Sequence, residues 1–130
     1  MKPWMRGWHN GWLGWRGERA AAKYLKKQGL RVLAHSFRTR WGEIDLIARQ
    51  EDTLVFVEVK TRRRGDPVEA VTPRKQKRLT RAAHRFLRRY NLVESKVPCR
   101  FDIVAIVWPD ARGRPQIQHI PNAFEAVGVA

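Results

Sequence analysis

The chain has 130 residues, 43% hydrophobic and 30% charged, a balance that supports one globular domain with a buried core and excludes a disordered polymer. Its 27 Lys and Arg against 12 Asp and Glu leave a formal charge of +15, which favours a polyanionic partner, because each neutralised phosphate releases condensed counterions. The single cysteine, Cys99, excludes an intrachain disulfide, no apolar run approaches the roughly 18 residues of a membrane helix, and the cytoplasm is the default compartment.

Residues 1–13 read as a basic, Trp-rich extension ahead of a single domain over 14–130. Met1 to Trp15 lacks the apolar core and cleavage site of a secretory signal. Trp4, Trp8 and Trp12 would share one helical face, but Gly7, Gly11 and Gly14 oppose a firm helix; docking on the domain or a partner, or stacking on unpaired bases, are the readings left open. A helix is predicted from about Trp12 to Gln28, stopped by Gly29, with Ala21, Ala22 and Leu25 as its inner stripe. Glu18 lies on that inward side: it is either a carboxylate at the exposed helix start, favoured by the dipole, or one turned toward the interior. Strands are predicted over Arg31–Arg38, Glu43–Arg49 and Thr53–Lys60, the last two joined by a polar turn at Gln50, Glu51 and Asp52. A basic, flexible stretch, Thr61 to Val71, carries Arg62, Arg63 and Arg64, which are expected to contact nucleic acid. A second helix opens at Thr72 as N-cap with Pro73 behind it and runs to about Tyr90. Arg100–Trp108 reads as a buried strand and Gln116–Ile120 as a short edge strand. This order predicts an α/β fold, a mixed sheet of about five strands flanked by helices.

With Glu51 and Asp52 central in the hairpin, Asp45 falls opposite Glu58 and Glu43 opposite Lys60, forming one polar quadrant. The other face would carry Ile44, Leu46 and Ala48 against Val55, Val57 and Val59. Two carboxylates across a strand pair repel, and burial worsens the repulsion. A divalent cation, Mg²⁺ or Mn²⁺, resolves it, with Lys60 near enough to orient water or stabilise developing charge. The plain alternative is a salt-bridge cluster in which Glu43 and Glu58 share Lys60.

On the second helix the apolar stripe is Leu79, Ala82, Ala83, Phe86, Leu87 and Tyr90. Arg74, Arg78, Arg81, Arg85 and Arg88 occupy the other side, widened by Lys75, Lys77 and Arg89. No acid lies between Pro73 and Tyr90, so intrahelical salt bridges are not the purpose and contact with nucleic-acid phosphates, DNA above all, is expected. Gln76 falls in the apolar sector and needs a polar partner, as a boundary residue or as part of the site. Asp102 reads as structural, holding an arginine, and His9, His35, His84 and His119 share no ligand spacing.

Asp45, twelve residues, then Glu58-Val59-Lys60 resembles the PD-(D/E)xK nuclease superfamily. Gly17-Glu18, Gly42-Glu43-Ile44-Asp45-Leu46-Ile47-Ala48, Val55-Phe56-Val57-Glu58-Val59-Lys60-Thr61-Arg62 and Arg100-Phe101-Asp102 are similar to the YraN-like family of uncharacterised bacterial proteins, over about Gly14 to the C-terminus. The resemblance implies a restriction endonuclease-like fold related to Holliday junction resolvases. It implies metal held by Asp45, Glu58 and the Val59 carbonyl, Lys60 as catalytic residue, Glu18 as the acid on the first helix, and Gln76 as the polar helix residue facing the metal. Ile44 stands where the superfamily has proline. The expected function is a metal-dependent endonuclease acting on structured or branched DNA, a homodimer by analogy; the alternative is a nucleic-acid-binding protein with a vestigial site.

Overall fold

The stripe of Ala21, Ala22 and Leu25 does form a helix, α1 (Gly11–Lys27), in a computed structural model that describes residues 11–67, 71–109 and 113–126, with side chains from Trp15 onward. The tryptophan-rich segment 1–10 lies outside the described residues, as does the side chain of Trp12. Gly29 ends the helix in the left-handed conformation (φ 92°), which lets the Leu30 N–H donate to the Leu25 carbonyl at 3.0 Å. Three strands follow, β1 (Arg31–Thr39), β2 (Gly42–Gln50) and β3 (Thr53–Arg62), then α2 (Pro73–Arg89), β4 (Cys99–Val107) and β5 (Gln116–Phe124). They form one sheet in the order β1-β2-β3-β4-β5. β3 and β4 run parallel and the other neighbours antiparallel. A parallel pair needs a crossover, and α2 is that crossover. Among the described residues no helix is long and apolar enough to cross a membrane.

The sheet is covered on both faces, α1 over one and α2 over the other. Val55, Val57 and Val59 alternate toward Ala21, Ala22 and Leu25, while Leu54 and Phe56 point to Leu79, Ala82, Ala83 and Phe86. Continuing that alternation puts Glu58 and Lys60 on the α2 side, beyond the end of the apolar cluster. The start of α2 is fixed by Thr72, whose hydroxyl accepts from the Lys75 N–H at 3.3 Å, with Pro73 in the first turn.

The hairpin register holds from Gln50↔Thr53 to Leu46↔Val57 and ends there. Asp45 and Glu58 therefore do not face each other as ladder partners, and neither do Glu43 and Lys60. Ile44 also departs from expectation: it packs against α2 with Ile47, whereas Leu46 and Ala48 face α1. The reason lies in a break of alternation. Ser36, between the pairs Phe37↔Ile44 and His35↔Leu46, adopts φ 50°, and Asp45 sits across from it. The strand pair kinks at this point, turning Phe37 and Ile44 together onto the α2 face.

β5 runs four residues past the predicted end, through Pro121 to Phe124. Proline lacks a ladder donor but is tolerated on an edge strand. Where the β4–β5 register shifts, the buried Asp102 carboxylate accepts from the Asn122 N–H (2.9 Å) and pairs with Arg100 (3.0 and 3.2 Å) and His119 (2.7 Å). The structural role expected for Asp102, holding an arginine, is what the fold shows.

Candidate metal centre

Where β2 leaves β3, the Val59 N–H loses its ladder acceptor, and an orphaned buried donor is costly. The Asp45 carboxylate takes that place, accepting from Val59 N at 2.8 Å. In an extended strand the N–H and C=O of one residue point the same way, so the Val59 carbonyl also faces the gap that β2 opens. One aspartate thus closes the ladder and directs its second oxygen at neighbouring acids.

Those acids arrive from three elements. Glu18 comes from α1 because Gly17 lets the helix lie against β3: a Cβ at position 17 would run into Thr61 Oγ1 and stand 3.1 Å from Thr61 Cβ. Glu43 and Asp45 come from β2, and carboxylate oxygens of Glu18, Glu43 and Asp45 lie within 4.8 Å of one another. Glu58, from β3, shares a hydrogen bond with Asp45. Glu18 and Glu58 are only 6% and 4% exposed, and one oxygen of each (Oε2) has no hydrogen-bond partner among the described residues. Of the two readings of Glu18, the inward one is observed.

Cations border the cluster. Lys60 Nζ is 3.7 Å and Lys75 Nζ 3.4 Å from Glu58 Oε1, and Arg38 Nε is 3.2 Å from Glu43 Oε2. Glu43 therefore pairs with Arg38 on β1, not with Lys60. Gln76 spends its side-chain amide on the Val71 carbonyl at 3.1 Å, tying down the start of α2. It is the neighbouring Lys75 that reaches Glu58. A signal for this was present: Lys75, Leu79, Ala82 and Phe86 follow helical spacing along the buried face. The remaining predicted contacts stay outside the cluster, with Arg62, Arg63 and Arg64 exposed beyond β3 and Arg74, Arg78, Arg81 and Arg85 exposed along α2.

Burial favours the protonated form of these acids. Glu18 is pushed up to about 8 by desolvation, reinforced by the charges of Glu43 and Glu58 and opposed by its bond to Asp45. Asp45 is likewise pushed up to about 8, by desolvation and then by the Glu18 charge. Glu58 stands well above the usual carboxylate range because burial and Asp45 outweigh the two lysines. Burial draws Lys60 below its ordinary value despite the pull of Glu58. Burial opposes the charge on Lys75 as well, but Glu58 and the surrounding hydrogen bonds raise it. The cluster is thus a dense set of hard oxygen donors with unsatisfied atoms, of the type that takes a divalent cation in exchange for protons.

A family model described as "Uncharacterised protein family UPF0102" matches residues 17–106. The chain belongs to that family. UPF0102 proteins similar to it include one from Rhodopirellula baltica, 49% identical over 126 residues, covering 92% of this chain and 74% of that protein. Another, from Geobacter sulfurreducens, is 49% identical with 90% and 91% covered, and one from Symbiobacterium thermophilum is 50% identical with 88% and 97% covered. The family membership expected from the motifs around Asp45 and Glu58 therefore holds. The UPF0102 match extends from Gly17 in α1 to Ile106 in β4 and so encloses all four acids and both lysines.

Proposed function

We propose that this chain is a divalent-cation-dependent endonuclease of the PD-(D/E)xK type acting on DNA, with structured or branched duplexes as substrate. The observation that carries the reading is the meeting of Asp45 and Glu58 with Glu18 in a buried cluster in which one oxygen of Glu18 and one of Glu58 (Oε2 of each) have no hydrogen-bond partner among the described residues. Four carboxyls and a backbone carbonyl facing the gap fit Mg²⁺ or Mn²⁺, which prefer oxygen donors and retain water. Asp45, Glu58 and the Val59 carbonyl would hold the ion. When bound, it would supply charge to offset the attacked phosphate and lower the pKa of water.

The protein's own groups divide the remaining work. Glu18 and Glu43 border the same space and can accept a proton from the attacking water. Lys60, half-buried beside Glu58, is placed to orient that water or to meet the charge that builds on the phosphate. Exposed Arg74, Arg78, Arg81 and Arg85, with Arg62, Arg63 and Arg64, would hold flanking phosphates. A second reading, a nucleic-acid-binding protein with a vestigial site, is favoured by the two lysines that already stand against Glu58 Oε1.

The test is incubation of junction, nicked and single-stranded DNA with Mg²⁺ or Mn²⁺. Wild type is expected to cut at least one substrate and Asp45→Ala none. Protein that binds DNA in EDTA, takes up no metal and cuts nothing would support the vestigial reading. Equal cutting by Asp45→Ala would overturn the site assignment.

A further inference from the structure

α2 carries eight cations, and seven of them, Arg74, Lys77, Arg78, Arg81, Arg85, Arg88 and Arg89, are exposed. Lys75 is different. Its side chain is 36% exposed and its ammonium lies closer to Glu58 than that of Lys60 does. The helix dipole does not explain its position. The first turn of α2 contains no acid, and a cation there opposes the helix dipole. Its location is nonetheless fixed, by its own backbone N–H on the Thr72 hydroxyl and by Gln76 on the Val71 carbonyl. These bonds fix the backbone at the helix start, while the four-carbon stem of Lys75 leaves the ammonium free to change partner.

We propose that Lys75 is the resident counter-ion of the site: it holds the Glu58 carboxylate until a divalent cation takes that oxygen, and then moves to a phosphate oxygen of the DNA at the point of cleavage. The inference rests on the cation-site reading above and adds a role to a residue that otherwise belongs to the phosphate-binding face. Glu58 Oε1 has both lysines within 4 Å, while Oε2 has no partner among the described residues. An incoming cation therefore competes with Lys75 for one oxygen only. Lys60 sits on β3 two residues from Glu58, whereas Lys75 stands at the head of the exposed α2 arginines. Exposed Arg74 and Arg78 flank Lys75 on α2, so a displaced ammonium stays at a helix end that would hold phosphates.

The experiment is Mn²⁺ titration by calorimetry of the full chain without DNA, on wild type, Lys75→Ala, Arg85→Ala and Glu58→Gln. Alanine at 75 keeps the backbone donor to Thr72, so the helix start is preserved. Lys75→Ala is expected to bind Mn²⁺ about three- to tenfold more tightly, the gain from removing a partly buried competitor. Arg85→Ala, which removes the same charge from the same helix, is expected to match wild type, and Glu58→Gln to lose binding. At saturating DNA and Mn²⁺, Lys75→Ala is expected to slow single-turnover cleavage by about 10²-fold with little change in DNA affinity. Unchanged or weaker Mn²⁺ binding by Lys75→Ala, equal tightening by Arg85→Ala, or a wild-type cleavage rate overturns the proposal. If wild type binds Mn²⁺ but cuts no DNA, the endonuclease reading falls and the Mn²⁺ comparison alone decides the counter-ion. If neither wild type nor Lys75→Ala takes up Mn²⁺, both fall.

Discussion

Asp45 concentrates two demands in one side chain. It must accept from Val59 N to close the ladder, and it carries a proton that burial and Glu18 hold to about pH 8. An unfolded aspartate releases its proton near pH 4. Between those values the folded form binds more protons, so this group's contribution to stability falls as pH rises. Asp45→Asn removes the ionisation while leaving an amide oxygen that can accept from Val59. In EDTA at pH 8 the variant is expected to melt about 5 °C above wild type, and Mn²⁺, which should stabilise wild type, is expected to leave it unmoved. Calorimetry of both proteins checks this; a variant that melts lower would show that the charge is not the cost. The partner of Asp45 was legible only in part. Spacing and hairpin register marked Asp45 and Glu58 as a pair, but the bond to Val59 arises from the kink at Ser36, a φ of 50° on a residue that strand patterning treats as ordinary. Lys75 was legible from its phase with Leu79, Ala82 and Phe86, yet the density of cations around it concealed that it faces inward.

Among the elements, α1 has the narrowest tolerance, because its contact with β3 at Gly17 and Thr61 has no room for a methyl group. Gly17→Ala must move the helix outward or Thr61 aside. Overpacking of this type costs about 1–3 kcal/mol, against which the better helix propensity of alanine returns roughly 1 kcal/mol. A net loss of about 1 kcal/mol is expected in urea unfolding. Mn²⁺ affinity should fall more than this modest loss suggests, because Glu18 is the next residue and shifts with the helix. Unaltered Mn²⁺ binding would show that Glu18 does not act in the site. The Gly17-Glu18 dipeptide thus has a physical basis in which the glycine delivers the carboxylate. The elements themselves followed local signals: Gly29 stopped α1, Thr72 and Pro73 opened α2, and Glu51, at φ 55°, took the turn. The signals failed where tertiary contacts decide. β5 was expected to end at Ile120, but Asp102 holds the strand beyond it through Asn122, and Ile44 changed face because its strand kinks.

Among the described residues, the buried acid cluster and the lone buried Asp102 bracket pH stability from opposite sides. Burial alone would raise Asp102, but His119, Arg100 and the Asn122 N–H outweigh it and hold the carboxyl below its ordinary value. A carboxylate lowered in the folded state contributes stability above its unfolded pKa, near 4, and loses it as pH falls further. Glu18, Asp45 and Glu58 are raised, so their effect runs the other way: stability is full below their unfolded values, near 4, and declines as pH climbs, for Glu18 and Asp45 toward about 8. The net charge of +15 adds self-repulsion that deepens the acid-side loss as the remaining carboxylates protonate. Metal-free protein is therefore expected to melt highest near about pH 5 and to lose melting temperature steadily toward pH 8.5. Mg²⁺ should act only on the alkaline side, where the carboxylates are ready to ionise, and should lift the melting temperature there while leaving pH 5 unchanged. Melting curves across that range, in EDTA and with excess Mg²⁺, distinguish this from an ordinary surface cluster. Such a cluster would give a flat alkaline limb and no pH-dependent response to the ion.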